Sequence, residues 1–207
     1  MLRGRGVEGV MFRYRRILPV WILFCAAVAI AAPHLTAQEV SSSVKKRGKA
    51  VVEYRDKDIQ VVAAYNYSQR NHESRWLYIQ AGLTTRDETI LKRDAIALRT
   101  PQGRTIPLAS QREVGEDTKR IEQLLQNAKP VSHDIPSYFT STSRTEDMQF
   151  FRLPFGRVVH DEFIVDRDRL AIGPLFFESP TGAWENGTYA LVVRHKNGVA
   201  ELPIALE

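Results

Sequence analysis

The stretch WENGTYALVV, residues 184–193, opens on turn chemistry and closes on an apolar run. Glu185, Asn186 and Gly187 suit a tight change of direction. Tyr189, Leu191 and Val193 then recur at spacing two, the period of a strand with one buried face. Just beyond, Asn197-Gly198 reads as a two-residue hairpin turn, because both residues tolerate the positive φ that the central positions need. Pairing outward from it sets Arg194 opposite Glu201, Val193 opposite Leu202, Leu191 opposite Ile204 and Tyr189 opposite Leu206. One face is then apolar and the other carries an opposite-charge pair. The same register asks Pro203 to donate a hydrogen bond that it cannot make, which predicts a bulge or lost pairing there.

Upstream, short segments of strand character repeat. Residues 50–54 are the first, and Ile59, Val61, Ala63, Tyr65 and Tyr67 follow at alternate positions. Residues 75–83 are apolar on both faces, as a central strand should be. Residues 89–99 and 105–108 flank Thr100-Pro101-Gln102-Gly103, whose Pro and Gly suit a type I turn, with Pro107 near an edge. Ile121, Leu124, Leu125 and Ala128 instead recur at helical spacing, so one short helix over 116–128 is expected. Residues 131–147, rich in Ser, Thr and Pro, read as a long loop. Strands resume over 148–153, 157–165 and 170–177, the last interrupted at Gly173-Pro174. The expected architecture is mainly β, a single antiparallel sandwich over 49–207 with one inserted helix.

The stretch Glu185-x-Gly187-x-Tyr189-x-Leu191 resembles the acid-x-Gly-x-Tyr-x-Cys signature of immunoglobulin-like domains. The resemblance covers seven residues and the hairpin after them. It implies a sandwich in which the Tyr189 hydroxyl bonds back to nearby backbone, with Leu191 where the cysteine would stand. Trp76 is then a candidate for the buried strand tryptophan of such domains.

The chain of 207 residues carries a net charge of +5, which invites a nucleic-acid reading. Position removes it. Residues 1–37 hold five arginines against one acid, and without them the net charge falls to +1. Arg13, Arg15 and Arg16 precede the apolar run 17–32, and small residues follow, the form of a secretory signal peptide. Cleavage after Ala37 is preferred over Ala31, and a start at Met11 would give a more compact signal peptide than one at Met1. The competing reading is a retained membrane anchor, although the 16-residue run is short of the roughly 20 that a spanning helix needs. Cys25, the only cysteine, lies inside that run, so neither disulfides nor thiolate chemistry are expected in the mature chain. Residues 38–48 read as a linker, and the destination as periplasmic or extracellular.

Chemistry has few footholds. His160-Asp161-Glu162 is the densest polar cluster, and an imidazole beside carboxylates can act as a base. On a strand, however, His160 and Glu162 would face one way and Asp161 the other. Asp166-Arg167-Asp168-Arg169 lacks the Gly and late Glu of a calcium loop, so no metal or other cofactor is expected. His133-Asp134 lies among serines without a nucleophile elbow. Among the aromatics, Trp184 and Trp76 are candidates to meet a glycan or protein partner, with Trp184 the better placed for exposure. Asn186-Gly187-Thr188 is a glycosylation acceptor triplet.

Three functions fit. The leading one is an exported envelope or secreted module with a binding or structural role, not an enzyme, using its loops and edges. Residues 116–128 and 131–147 would be its variable surfaces. The second is a small exported hydrolase built on His160, Asp161 and Glu162. The third is a carbohydrate-binding module using exposed aromatics.

Overall fold

The computed structural model describes residues 43–71, 74–140, 144–152 and 159–207. The signal peptide expected over 1–37 lies outside them, and no described helix is long and apolar enough to cross a membrane. The described chain is mainly β, with open sheets. In chain order the elements are β1 (Val44–Lys46), β2 (Val51–Arg55), β3 (Ile59–Ala64), α1 (Asn66–Arg70), β4 (Trp76–Thr85), β5 (Thr89–Lys92), β6 (Ile96–Arg99) and β7 (Thr105–Pro107). Then come α2 (Gln111–Glu116), α3 (Thr118–Ala128), β8 (Arg144–Asp147), β9 (Glu162–Val165), β10 (Arg169–Glu178), β11 (Gly187–His195) and β12 (Gly198–Leu206).

Among the described residues a six-stranded sheet runs β1-β2-β3-β4-β10-β8 and a four-stranded sheet runs β12-β11-β6-β7, with β5 and β9 paired as a ribbon. One core joins the two larger sheets: Val61, Ile79, Leu83 and Phe177 from the first meet Leu98, Leu191, Leu202 and Ile204 from the second. A smaller apolar cluster covers the other side of the first sheet, where Ile135 and Phe139 pack on Val51, Val62 and Leu170. That second layer explains β3. Every residue of it is buried, rather than one face only. Gly82 of β4 admits the cover, since a Cβ there would lie 2.3 Å from Ile135 Cγ2.

The C-terminal hairpin differs from the expected register by two residues. His195 pairs with Gly198, Val193 with Ala200, Leu191 with Leu202 and Tyr189 with Ile204, so Lys196-Asn197 forms the turn instead of Asn197-Gly198. A shift of two keeps each side chain on its face, and the apolar face survives. It also resolves Pro203. Ala205 N–H points away from β11, to Tyr65 Oη at 3.4 Å, and Pro203 shares that outward parity on an edge strand. The ladder therefore runs unbroken, without a bulge. Arg194 lies opposite Val199, and Glu201 pairs across β11 with Arg99, whose Nη1 donates at 2.8 Å.

Other boundaries move for local reasons. The strand expected to reach Tyr67 stops at Ala64, and Asn66–Arg70 turns helical. The segment 89–99 splits at a 3₁₀ turn, Arg93–Ala95, that carries the chain from β5 in the ribbon to β6 in the four-stranded sheet. The helix expected over 116–128 begins earlier, where Ser110 and Glu113 form a capping box, a motif whose cap is worth about 1 kcal/mol. It breaks at Asp117 into α2 and α3. The Thr100–Gly103 turn closes as expected, Gly103 N–H donating to Thr100 O at 2.9 Å. The supposed loop 131–147 contains the Ile135–Tyr138 3₁₀ turn and β8, which lies parallel to β10. The strand expected over 148–153 is not one in its described part, where Phe150 and Phe151 are buried in irregular chain. In the segment expected over 157–165, the described strand covers Glu162–Val165. Within the expected linker, Val44–Lys46 is an edge strand on β2.

β10 passes through Gly173-Pro174 without interruption. Ile172 O and Phe176 O both accept from outside the β4 ladder, from Met148 and Ala109, so Pro174 between them turns its missing donor to that same side. Gly173 is required by close approach: a Cβ there would sit 2.6 Å from Met148 Cβ.

Candidate functional site

The polar cluster near residue 160 does not converge. His160 precedes β9 and is exposed; its backbone N–H donates to Gln149 O at 2.8 Å. Glu162 is exposed and lies opposite Lys92 across the ribbon. Asp161 accepts from Arg93 Nε at 2.9 Å, with its side chain 85% exposed. Glu146, Asp147, His160, Glu162 and Arg169 do border a shallow hollow of about 480 Å³. Arg169, the arginine among its described lining residues, is already engaged, by Asp166 at 2.5 Å and Glu88 at 2.6 Å.

Arg93 is the organising residue here. Its guanidinium carbon lies 5.1 Å from the ring centres of both Phe150 and Phe151. Nη1 donates to Ala109 O at 2.6 Å and Nη2 to Phe150 O. Its backbone N–H also reaches Asp161 O, at 2.8 Å. One side chain thus fastens three irregular segments to the end of the ribbon, and Asp161 is the charge that holds it from outside.

Both candidate tryptophans are interior. Trp184, expected at the surface, is 5% exposed, and Trp76 is 1% exposed. The Trp184 indole N–H donates to Arg75 O at 3.3 Å, and its ring meets Tyr189 edge-on at 5.5 Å. Trp76 Nε1 donates to Asp117 Oδ2 at 2.8 Å, anchoring the α2–α3 break to the first residue of β4. Turn residues such as Gly182 and Gly187 suggested exposure, but they shape the loop that folds Trp184 inward. Neither ring offers a face to a sugar.

Tyr189 is 4% exposed and donates from Oη to Glu185 O at 3.0 Å, four residues upstream. Burial pushes its phenol above the ordinary value, against the opposing effect of that bond. Gly187 has φ of +149° and faces Pro101, whose Cγ would lie 2.9 Å from a Cβ. Leu191 is fully buried between Leu202 and Leu98. Asn197 and Gly198 are exposed at the hairpin tip.

The chain matches no protein-family model, no curated protein and no solved structure. Its own geometry carries the remaining argument. Among the described residues no three His, Cys, Asp or Glu side chains gather as metal ligands would. His133, near Asp134, is held by Asn66 and Gln80 rather than by a serine. The expectation that 131–147 is a variable surface gives way at Ile135 and Phe139, which are core. Sequence reading missed Arg93 and Asp117. The only available signal was a charge inside an apolar run, LKRDAIAL, and an acid at a helix start.

A second hollow, of about 390 Å³, lies at the opposite end of the first sheet from Trp76. Three turns build it, those following β2, β4 and β9. Nothing in the sequence marked it as one site, because its lining residues are spread over more than a hundred positions.

Proposed function

We propose that this chain is an exported, immunoglobulin-like sandwich module with a binding role in the cell envelope or outside the cell. The observation that carries the fold half is strand adjacency. β12-β11-β6-β7 follows the order G-F-C-C′ of such domains, and β3-β4-β10 follows A-B-E. The chain leaves β4 for β6 in the other sheet, returns to β10 beside β4, and crosses again to β11 beside β6. Tyr189 then stands near the start of the F strand with its hydroxyl on upstream backbone, as a tyrosine corner would. Two features depart from that pattern: β8 runs parallel beside β10 where an antiparallel D strand belongs, and Trp76 is on the B strand rather than C.

A sandwich hosts many functions, so the binding half rests on the site residues. Asp161 holds Arg93, Glu162 faces Lys92, and the exposed His160 side chain has no hydrogen-bond or ion-pair partner among the described residues, an arrangement that suits scaffolding better than hydrolysis. Export rests on the leader, residues 1–37. The test is expression of the full chain with a C-terminal tag, followed by fractionation and N-terminal sequencing. A mature chain starting at Gln38 outside the cytosol is expected. Uncleaved protein confined to the cytosol would overturn the proposal.

A further inference from the structure

We infer that the 390 Å³ hollow between the turns after β2, β4 and β9 is a binding site for a phosphate-bearing ligand. Arg55, Lys57, Arg86 and Arg167 line it, against two acids, Asp56 and Asp58. None of these four cations has a carboxylate partner among the described residues, so their charge stands uncompensated by contact at the rim of one hollow. The Asp56 carboxylate is hydrogen-bonded within its own strand end and turn and forms no ion pair with them. Its Oδ1 accepts from the backbone of Asp58 and Ile59, both at 2.8 Å, and its Oδ2 accepts from Tyr54 Oη at 2.9 Å.

Arg55 ends β2 and the other three cations sit on turns that are tied to one another before any ligand arrives. Arg86 N–H donates to Asp58 O at 2.8 Å, joining the second turn to the first. Thr84 Oγ1 donates to Asp166 O, joining the third. Asp166 repeats the Asp56 arrangement, with Oδ1 accepting from Asp168 and Arg169 backbone at 2.8 Å each. Fixing the turns in advance reduces what binding must order. Guanidinium forks from separate turns suit a tetrahedral oxyanion, which offers acceptors in several directions.

This inference adds a ligand class to the binding role proposed above and rests on that role, not on export. Export is read from the mature N-terminus and this site from titration, so either can fail alone. The experiment is calorimetric titration of the purified protein with sodium pyrophosphate, beside sedimentation with phosphatidylglycerol vesicles and with phosphatidylcholine vesicles as control. Arg86→Gln, Arg167→Gln and, as a distant control on α3, Lys119→Gln are compared with the wild type. All three positions are exposed, and matched melting curves verify that the variants fold.

Pyrophosphate binding that weakens roughly tenfold in each arginine variant, and not in Lys119→Gln, is the expected result, the loss of one charge-assisted hydrogen bond. Binding should also weaken as salt is raised. Vesicle binding selective for phosphatidylglycerol, with the same variant dependence, would assign the phosphate to a lipid headgroup. Pyrophosphate binding alone would assign it to a free ligand. If neither probe binds the wild type, or the arginine variants bind as tightly as it does, the site is refuted.

Discussion

Asp161 meets Arg93 twice: its carboxylate accepts from Nε at 2.9 Å and its carbonyl accepts from the Arg93 backbone at 2.8 Å. The two are unequal partners, since the Arg93 side chain is 15% exposed and that of Asp161 is 85% exposed. The guanidinium is what the fold depends on. Arg93→Met keeps apolar bulk beside Phe150 and Phe151 but strands Ala109 O and Phe150 O. Its expected cost is about 2–6 kcal/mol, from two acceptors worth roughly 1–3 each. Asp161→Asn should cost less than about 1 kcal/mol, as exposed pairs do. Urea unfolding measures both, and equal losses would contradict this division of labour.

Tyr189→Phe keeps the ring against Trp184 and removes the donor from Glu185 O. A loss on the order of 1–3 kcal/mol is expected for the unsatisfied partner. Tyr189→Ala adds a cavity, and about 3–5 kcal/mol is expected. Identical melting of wild type and Tyr189→Phe would mean that the hydroxyl contributes nothing, and would weaken the immunoglobulin-like reading with it.

Two glycines should respond to alanine with opposite signs. At Gly173 the new Cβ would lie 2.6 Å from Met148 Cβ and 3.1 Å from its carbonyl, so about 1–3 kcal/mol of overpacking is expected. Gly115, in α2, has nothing closer than Gln111 Nε2 at 3.9 Å. Alanine there should stabilise by about 0.5–1 kcal/mol through helix propensity. Thermal or urea unfolding reads both, and a neutral Gly173→Ala would show that Met148 moves aside freely.

Burial pushes the Tyr78 phenol from its ordinary 10.0 up to about 12. A pKa raised on folding means that the unfolded chain releases this proton first. The stabilisation is therefore complete below pH 10 and is lost as pH climbs from 10 through about 12. Burial shifts Tyr54, Tyr65 and Tyr189 the same way, so the contribution of Tyr78 is read by difference. Tyr78→Phe should flatten the alkaline fall by on the order of 2 kcal/mol. Superimposable pH profiles for the variant and the wild type would exclude the effect.

Much of the β framework was legible in short-range pattern. Alternation at Tyr189, Leu191 and Val193 places these residues on the core face, and helical spacing at Ile121, Leu124 and Ala128 places theirs. The hairpin register was not legible to the residue. Asn197-Gly198 and the observed Lys196-Asn197 turn keep the same apolar face, and only the outward N–H parity needed by Pro203 separates them. Trp184 shows the converse error. Turn residues around it signalled a loop, and whether a loop's tryptophan points out or in depends on what lies beneath.

By itself the sequence determined the β period of the chain, the existence of its hairpins, the arginine excess of residues 1–37 and its poverty in cysteine. These follow from local sterics and from water's rejection of an apolar face, which neighbouring residues express. Tertiary structure alone decided that Ile135 and Phe139 cover the back of the first sheet, that Arg93 rather than His160 organises its cluster, and that Arg55, Arg86 and Arg167 line one hollow. Each joins residues dozens of positions apart. Their proximity is set by strand order, which period-two alternation leaves open, because every permutation of the strands can bury the same faces.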